Sequence, residues 1–438
     1  MSLLSPRHGP QRQSMQFNPA NSFGEVGRAV RRVQPVQALW AALGAIFALQ
    51  LAVIAILTVI GRRRKLRAPK QGFPHLAGGE IPVADNALTL YANGSELFDA
   101  MLRAISQARE VIYLETYIWK ADQVGHAFKN LLIAKANEGV RVYIIFDNFG
   151  NLVVPDAFKQ FPANIHVLRY SAIKRPWHFF DPRRYALDHR KLLIVDDKFA
   201  FIGGYNIGSL YATQWRDTHM RITGPDALDL AYAFVDFWNR FCARKDIIAK
   251  HYVRRFDPTI DVHTNDALRL SFPIRNIYIE AIERAQSHIY LTNAYFVPDH
   301  VLLEALIAAA QRGVDVHILL PWTSNHIIAD WVARSYFTRC LQGGVRIFGY
   351  QDAMIHAKTC TVDGVWSTVG TANLDRLSSV GNFEINAVIY DDRFARQMEA
   401  LFAADKTNAF ELTAEKWLQR PWYGKLSERV LEPLRVIV

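Results

Sequence analysis

The sequence predicts an α/β protein made of two homologous halves, preceded by one transmembrane helix. Three observations predict this fold class: an apolar stretch near the N terminus, an alternation of helical and strand-like hydrophobic patterns that occurs twice, and a spaced set of polar residues that also occurs twice. Of the 438 residues, 50% are hydrophobic and 21% are charged, so the chain can bury a large core.

The apolar stretch covers residues 38–61, where Gln50 is the only strongly polar side chain. As a helix, these 24 residues are long enough to cross a hydrocarbon layer of about 30 Å. The basic run 62–67 that follows fits a wet, anionic membrane interface better than the end of a buried core helix. Because 37 mostly polar residues precede the stretch, a cleaved signal peptide is disfavoured and we predict a retained anchor.

The charge distribution separates the N-terminal region from the main body. Residues 1–70 hold eleven basic side chains and one acid, so basic and acidic residues balance at forty each in 71–438. A neutral body disfavours nucleic acid as a partner. The three cysteines are far apart and lack zinc-site spacing, so we expect neither a disulfide framework nor a structural metal.

Hydrophobic periodicity repeats within the body. Strand-like patterns at 111–118 and 140–147 flank a helical pattern and a glycine, and 288–295 and 314–320 flank the same combination again. The offset is 177 residues at the first strand and 174 at the glycine. Solenoid repeats are about 20–50 residues long, so this period indicates duplicated domains.

These features give the predicted domain boundaries. We predict a polar tail (1–37), a transmembrane anchor (38–61), a basic juxtamembrane linker (62–92) and two domains (93–262 and 263–438). The larger basic cluster follows the anchor, which favours a single-pass protein of the inner cell membrane with a cytoplasmic body.

Each half contains the same spaced set of polar residues. The first set is His189, Lys191, Asp196, Asn206 and Asp217, and the second is His356, Lys358, Asp363, Asn373 and Glu384. Counted from the histidine, the spacings are +2, +7, +17 and +28 in both sets. Because side chains two apart share one face of a strand, each His and Lys should point the same way. Histidine, lysine and asparagine can together attack a phosphodiester, protonate its leaving group and bind its oxygens without a metal or cofactor.

The paired His-x-Lys-x4-Asp-x6-Gly-x-x-Asn motifs resemble those of the phospholipase D superfamily over residues 93–405. Four segments are most similar to bacterial cardiolipin synthases: 114–119, 201–206, 293–296 and 368–375. The resemblance implies two phospholipase D-like α/β/α sandwich domains, related by a pseudo-twofold that brings His189 and His356 together. One departure is that the family often has Ser where this chain has Gly204 and Thr371, which puts hydroxyl contacts to phosphate at these positions in question.

The resemblance also implies roles for the site residues. One histidine would form a phosphohistidine while the other protonates the leaving oxygen; the symmetry leaves the assignment open, and analogy favours His189 as nucleophile. The remaining residues fall into three groups: phosphate ligands (Lys191, Lys358, Asn206, Asn373), acids that hold the second histidine nitrogen (Asp217, Glu384), and motif aspartates placed with the catalytic set, which either orient the site or tie neighbouring strands (Asp196, Asp363).

The identity of the acceptor decides the activity. If the hydroxyl of a second phosphatidylglycerol accepts the phosphatidyl group, the protein makes cardiolipin; if water does, it is a phospholipase D that produces phosphatidic acid. Phosphatidylethanolamine is a possible variant donor. The membrane anchor, the neutral body and the resemblance favour transfer, with phospholipids and the bilayer as partners. A nuclease of the superfamily and a non-catalytic membrane scaffold are the remaining alternatives.

Overall fold

The structure is a computed structural model, and it describes residues 35–67, 72–76, 79–173, 180–250, 252–253 and 258–436. Most of the predicted tail therefore lies outside the described residues. The chain divides into two compact units, residues 1–55 and 56–438, which we describe separately.

Helix α1 (Pro35–Arg67) contains the predicted anchor. Its segment Gln37–Ile60 is long and apolar enough to cross a membrane. Large apolar side chains on it are exposed, for example Trp40 at 69% and Phe47 at 61%, as expected for a surface that faces lipid. The helix continues to Arg67, so the first residues of the predicted linker are helical.

The first half of the main body contains nine strands: β1 (Glu80–Val83), β2 (Asn86–Tyr91), β3 (Val111–Thr116), β4 (Arg141–Asp147), β5 (Ile165–Tyr170), β6 (Leu192–Val195), β7 (Phe199–Gly203), β8 (Trp215–Arg216) and β9 (His219–Thr223). Eight of them form a sheet with the strand order β1-β2-β9-β7-β6-β3-β4-β5. In this sheet β3 pairs with β4 and β4 pairs with β5 in parallel, and the other neighbouring strands pair antiparallel. Strands β1 and β2 pair as an antiparallel hairpin inside the segment predicted as linker, so the first domain begins near residue 80 and not at 93.

Helices cover both faces of this sheet. The first-half helices are α2 (Gly94–Ser106), α3 (Gln123–Asn137), α4 (Ser209–Thr213) and α5 (Ala227–Phe241), with 3-10 turns at Pro182–Tyr185 and Arg244–Asp246. Alternation along β3 explains the layering, because Val111 and Tyr113 enter the core beneath α5 while Ile112 and Leu114 enter the core beneath α2 and α3. The layers are therefore α/β/α.

The second half repeats this sheet, with the order β10-β17-β16-β15-β11-β12-β13-β18. Its strands are β10 (Ile260–Asn265), β11 (His288–Thr292), β12 (Asp315–Pro321), β13 (Arg346–Tyr350), β14 (Met354–Ile355), β15 (Thr359–Val362), β16 (Trp366–Gly370), β17 (Glu384–Tyr390) and β18 (Ala409–Leu412). Strands β10 to β13 occupy the places of β2 to β5, so the sequence repeat is a structural repeat. The second sheet begins with β10, three residues before the predicted boundary at 263.

The second-half helices are α6 (Pro273–Arg284), α7 (His300–Gln311), α8 (Ile327–Gln342), α9 (Arg376–Val380), α10 (Asp392–Lys406), α11 (Ala414–Leu418) and α12 (Trp422–Leu431), before a 3-10 turn at Glu432–Val436.

The two halves share one hydrophobic core. A single hydrophobic cluster joins Phe234 and Trp238 of α5 to Ile385 of β17 and Phe394 of α10. This shared core fixes the halves against each other and so fixes any site between them.

Candidate active site

Two short backbone contacts connect the halves. Asp188 forms a parallel bridge with Phe383, and Ile355 of β14 pairs in parallel with Arg216 of β8. In each contact, one residue directly precedes a motif histidine (His189 or His356) and the other directly precedes a downstream acid (Glu384 or Asp217). The two contacts thus repeat with the halves exchanged, as a pseudo-twofold axis between them requires. This axis brings the starts of both His-x-Lys segments to the interface.

Each histidine is held by the acid of the opposite half. The Nδ1 atom of His189 lies 3.0 Å from both carboxylate oxygens of Glu384. The Nδ1 atom of His356 lies 2.7 Å from Oδ2 of Asp217. With Nδ1 engaged, Nε2 is the ring nitrogen left for chemistry, the arrangement that an orienting carboxylate produces. The equal +28 spacing within each half gave no sign that these pairs are crossed.

The two motif lysines lie buried beside the histidines. Lys191 Nζ donates to the carbonyl of His189 at 2.6 Å, and Lys358 Nζ donates to the carbonyl of His356. Burial lowers the pKa of Lys191 to about 7 and that of Lys358 to about 8. A bound anion would oppose this desolvation, so the site is built to accept negative charge.

The histidines respond to charges from both halves. Burial lowers the pKa of His189, and Lys191 lowers it further while Glu384 raises it. Burial lowers the pKa of His356 well below its ordinary value, and Lys358, Lys191 and His189 add to the effect. Both imidazoles and both lysines therefore act in one electrostatic environment, and the lowered pKa values favour neutral histidines at neutral pH.

The two acids are supported in different ways. Burial raises the pKa of Asp217 to about 6, although the Lys358 cation opposes this effect. A Cβ atom on Gly204 would lie 2.2 Å from Oδ1 of Asp217, so only glycine leaves room for that carboxylate. In the other half the Thr371 hydroxyl donates to Glu384 at 2.6 Å. A hydroxyl has one proton to donate, so Thr371, which donates to Glu384, does not also donate to a phosphate.

The motif asparagines are buried beside the motif glycines. Oδ1 of Asn206 accepts a hydrogen bond from the backbone N–H of Ile118 at 3.0 Å, which leaves its amide N–H groups as donors for an anion. Oδ1 of Asn373 is buried and has no hydrogen-bond partner among the described residues.

The structure does not bring Asp196 and Asp363 to the histidines. Each lies at the far end of the four-residue strand that begins beside its motif lysine, in the turn to the next strand. Asp196 accepts from the backbone N–H groups of Arg109, Glu110 and Val111 at 2.8, 2.8 and 2.9 Å, and Asp363 accepts from three equivalent groups at the same distances. Their φ angles of 51° and 53° are in the left-handed region that Asp tolerates in turns. The expectation that placed them with the catalytic residues is corrected: of its two alternatives, this geometry fits the tie between strands.

Three aromatic residues that the motif analysis did not assign pack against the histidines. The ring centroid of Tyr117 lies 4.9 Å from that of His189, while Trp215 and Tyr295 lie 5.1 and 6.1 Å from His356. Tyr117 directly follows β3 and Tyr295 is the third residue after β11, so their place shortly after two matching strands is the signal that could have found them.

Behind His189, the first half buries a cluster of charges. Arg190 donates to Oε1 of Glu115 from Nε at 3.0 Å and from Nη2 at 2.5 Å. Asp188 lies 3.5 Å from Arg190 Nε, and its backbone N–H donates to Asp147 at 2.9 Å. Burial raises the pKa of Asp147 to about 7. This cluster positions the backbone on both sides of His189 without reaching its ring nitrogens.

Comparison with known proteins identifies the family. A model described as "Cardiolipin synthase, PLD-like domain" matches residues 101–238 and 278–406, one range in each half. The chain belongs to the cardiolipin synthase family of phospholipase D-like proteins. It is 35% identical to the cardiolipin synthase of Listeria welshimeri over 375 residues, covering 81% of this chain and 77% of the relative. It is 32% identical to the major cardiolipin synthase ClsA of Bacillus subtilis, covering 80% and 76%.

A solved structure shares the fold of this cardiolipin synthase family member. The phosphatidylserine synthase of Haemophilus influenzae superimposes with a TM-score of 0.61 at 15% identity, covering 87% of this chain and 97% of that one. The family and the site together make the protein an enzyme of the phosphatidyltransferase class in the phospholipase D superfamily. Among the described residues, no three His, Cys, Asp or Glu side chains are grouped as metal ligands would be, and the absence of a cofactor stays a prediction.

Proposed function

We propose that this enzyme joins two phosphatidylglycerol molecules into cardiolipin and releases glycerol, through a phosphohistidine intermediate. The observation that carries the proposal is the pair of crossed dyads, His189–Glu384 and His356–Asp217, with one buried lysine on each. Two oriented imidazoles in one cationic site supply a nucleophile and a proton donor for a single phosphodiester.

In the first step, the Nε2 lone pair of His189 attacks phosphorus and the bond from phosphorus to the glycerol oxygen breaks. His356 gives its Nε2 proton to that oxygen, so glycerol leaves neutral. Glu384 accepts the Nδ1–H hydrogen bond and stabilises the positive charge that develops on the His189 ring. Lys191, Lys358 and the Asn206 amide would bind the non-bridging oxygens, where negative charge accumulates.

In the second step, the glycerol hydroxyl of another phosphatidylglycerol enters. Neutral His356 takes its proton, the oxygen attacks phosphorus, and the bond from phosphorus to His189 Nε2 breaks. Cardiolipin forms and both histidines return to their starting states, so atoms and protons balance.

The electrostatics support these roles. Burial lowers the pKa of His356, and the nearby Lys358 and Lys191 lower it further. A bound phosphodiester adds a negative charge beside it, which raises that pKa and lets His356 carry the proton it must donate. His189 can remain neutral because burial lowers its pKa and Lys191 lowers it further, although Glu384 opposes both effects.

Helix α1 supports the membrane setting of this reaction. We infer a single-pass anchor in the inner cell membrane with a cytoplasmic body, because the basic residues at 62–70 outnumber those just before the anchor.

The test uses the full chain in vesicles of phosphatidylglycerol. We expect cardiolipin and glycerol in equal amounts, and no product from a His189→Ala, His356→Ala variant. Phosphatidic acid as the sole product would reassign the enzyme as a hydrolase. With phosphorus-labelled substrate and an alkaline denaturing quench, in which the phosphorus–nitrogen bond survives, His356→Ala should retain label on the His189 peptide, whereas label on His356 in a His189→Ala protein would reverse the two roles.

A further inference from the structure

We propose that the loop of residues 148–154, which connects β4 to the following turns, inserts its apolar side chains into the bilayer that presents the lipid substrate. The inference rests on the proposed function only in taking a phospholipid as the substrate. We call this segment the 148–154 loop.

The loop exposes apolar surface to an unusual degree. Phe149, Leu152 and Val153 are 61%, 64% and 82% exposed, although side chains of this kind usually pack in the core. Adjacent exposed apolar residues mark contact surfaces on soluble domains. The loop sequence AsnPheGlyAsnLeuValVal contains no charged residue, so it can enter an apolar phase without desolvating an ion.

Hydrogen bonds hold these side chains outward. Asn151 is 1% exposed and anchors the loop to the domain, because its Nδ2 donates to the carbonyls of Asp147 and Tyr117 at 2.7 and 2.8 Å. Its Oδ1 accepts from the backbone N–H of Trp119 at 2.8 Å, and the Gly150 N–H donates to Oδ1 of Asp147 at 3.0 Å. The exposure is therefore imposed by an ordered backbone.

The loop borders the active site. A Cβ atom on Gly150 would lie 3.0 Å from the ring of Tyr117, and that ring packs on His189 with centroids 4.9 Å apart. Apolar side chains beside the proposed nucleophile are suitably placed to meet the hydrocarbon of a lipid whose phosphate reaches His189.

The size of the surface favours a bilayer over a protein partner. A stable protein interface buries more than about 1,000 Å², which three side chains cannot supply, whereas shallow insertion into a bilayer needs only a few apolar groups. In the second half, the residue directly after β12 is Trp322, which corresponds to Asn148. Arg334 lies 4.5 Å above its ring and the centroid of Phe410 is 5.0 Å away, so this ring packs against its own half, unlike the exposed side chains of the 148–154 loop.

Depth quenching tests the insertion directly. The full chain with Cys242→Ser and Val153→Cys would carry a fluorophore at residue 153, since Cys340 and Cys360 are buried. The control places the label at Val365→Cys, which is 52% exposed in the turn at the end of β15 remote from His356. In phosphatidylglycerol vesicles, we expect acyl-chain nitroxides to quench residue 153 at least threefold more than residue 365, and iodide to do the reverse. Equal iodide quenching at both sites, or protection from iodide without quenching by lipid, would overturn the proposal; the latter result would indicate coverage by another protein copy.

A second experiment links insertion to catalysis. We expect Phe149→Ser, Leu152→Ser, Val153→Ser to lower turnover of bilayer phosphatidylglycerol about tenfold, with less than a twofold change for short-chain substrate dispersed in detergent. Val365→Ser should change neither rate. Equal loss on both substrates would give the loop a structural role and refute the proposal. If the wild-type protein turned over neither substrate, the proposed function would fail while the quenching result still decided insertion.

Discussion

The surroundings of the two histidines differ although their dyads match. His189 is flanked in the chain by Asp188 and Arg190, which belong to a buried charged cluster, whereas His356 is flanked by apolar Ile355 and Ala357. Within that cluster, the places of Glu115 and Asp147 are taken in the second half by Thr292 and Pro321. Next to the acids, the charged group lies on the side of the other histidine. Arg216, which pairs with Asp405 at 2.7 Å, precedes Asp217, the acid that holds His356, whereas apolar Phe383 precedes Glu384, the acid that holds His189.

This difference separates two kinds of constraint. The groups that we propose to contact the phosphate occur in both halves, because the proposed reaction needs them on both sides of one phosphorus atom. Groups behind them need only fill space and satisfy their own hydrogen bonds, and either an ion pair or an apolar contact does so. The duplication has therefore kept the chemistry and let the packing diverge.

The largest effect should come from breaking one dyad at a time. We expect Glu384→Gln and Asp217→Asn each to lower kcat about 10²- to 10⁴-fold, because the histidine loses the acceptor that orients it. On a phosphatidyl ester of p-nitrophenol, whose leaving group needs no proton, the burst of p-nitrophenol from the first turnover should recover to within about tenfold of the wild-type rate only in Asp217→Asn. Recovery in Glu384→Gln instead would exchange the roles of the two halves.

Removing the cation of the charged cluster should destabilise the first half. Arg190→Leu leaves the fully buried Glu115 and Asp188 without their partner, so we expect a loss of about 3–5 kcal/mol in unfolding free energy, seen as a lower thermal midpoint. Adding Glu115→Leu should recover part of the loss. Thr292→Val, at the second-half position that corresponds to Glu115, removes one hydroxyl and should cost at most about 1.5 kcal/mol. Equal losses of unfolding free energy for Arg190→Leu and Thr292→Val would contradict the difference in packing between the two halves.

The motif aspartates should affect stability equally in the two halves. Asp196→Ala and Asp363→Ala each remove three hydrogen bonds to backbone N–H groups, and we expect a loss of about 1–3 kcal/mol with kcat of the folded enzyme within about twofold of wild type. Three N–H donors hold the pKa of Asp363 below its ordinary value despite the opposing effect of burial, so this stability should persist at neutral pH and fall as the carboxylate protonates in acid. A thousandfold drop in kcat at an unchanged midpoint would return these residues to the catalytic set.

The smallest effect should distinguish the two lysines. Burial lowers the pKa values of Lys191 and Lys358 to about 7 and about 8, so each amine loses its charge as pH rises through its own value. Sulfate keeps its charge over this range and binds best to the charged amines, so its Kd should rise at least about tenfold between pH 6.5 and 9 as they deprotonate. Lys191→Arg should flatten the lower part of this profile and Lys358→Arg the upper part, since arginine stays charged. Calorimetric titration measures both, and a flat wild-type profile would exclude lysine titration.

The sequence predicted the duplicated α/β architecture because period and motif spacing reported the same repeat independently. It missed β1 and β2 because β1 is only four residues long and contains Pro82, which reads as a linker. The structure pairs the predicted His189 and His356 with the two predicted acids, but the sequence did not indicate the crossed pairing, since equal spacing in two halves fits pairing within or between them. The sequence could not separate Asp196 from the catalytic residues either, because a residue in a turn keeps the same spacing from the histidine in both halves, just as a reactive residue does.

Because His189 depends on Glu384, and His356 on Asp217, neither half contains a complete dyad of its own. A homodimer of one half could assemble both dyads, but every substitution would then appear twice. The residues that support the two acids would therefore stay identical. Fusion into one polypeptide removes that restriction: glycine at 204 and threonine at 371 can coexist only because each position is encoded separately. A tandem chain can thus give its two substrates unlike environments, which suits a reaction that handles one lipid as donor and the next as acceptor.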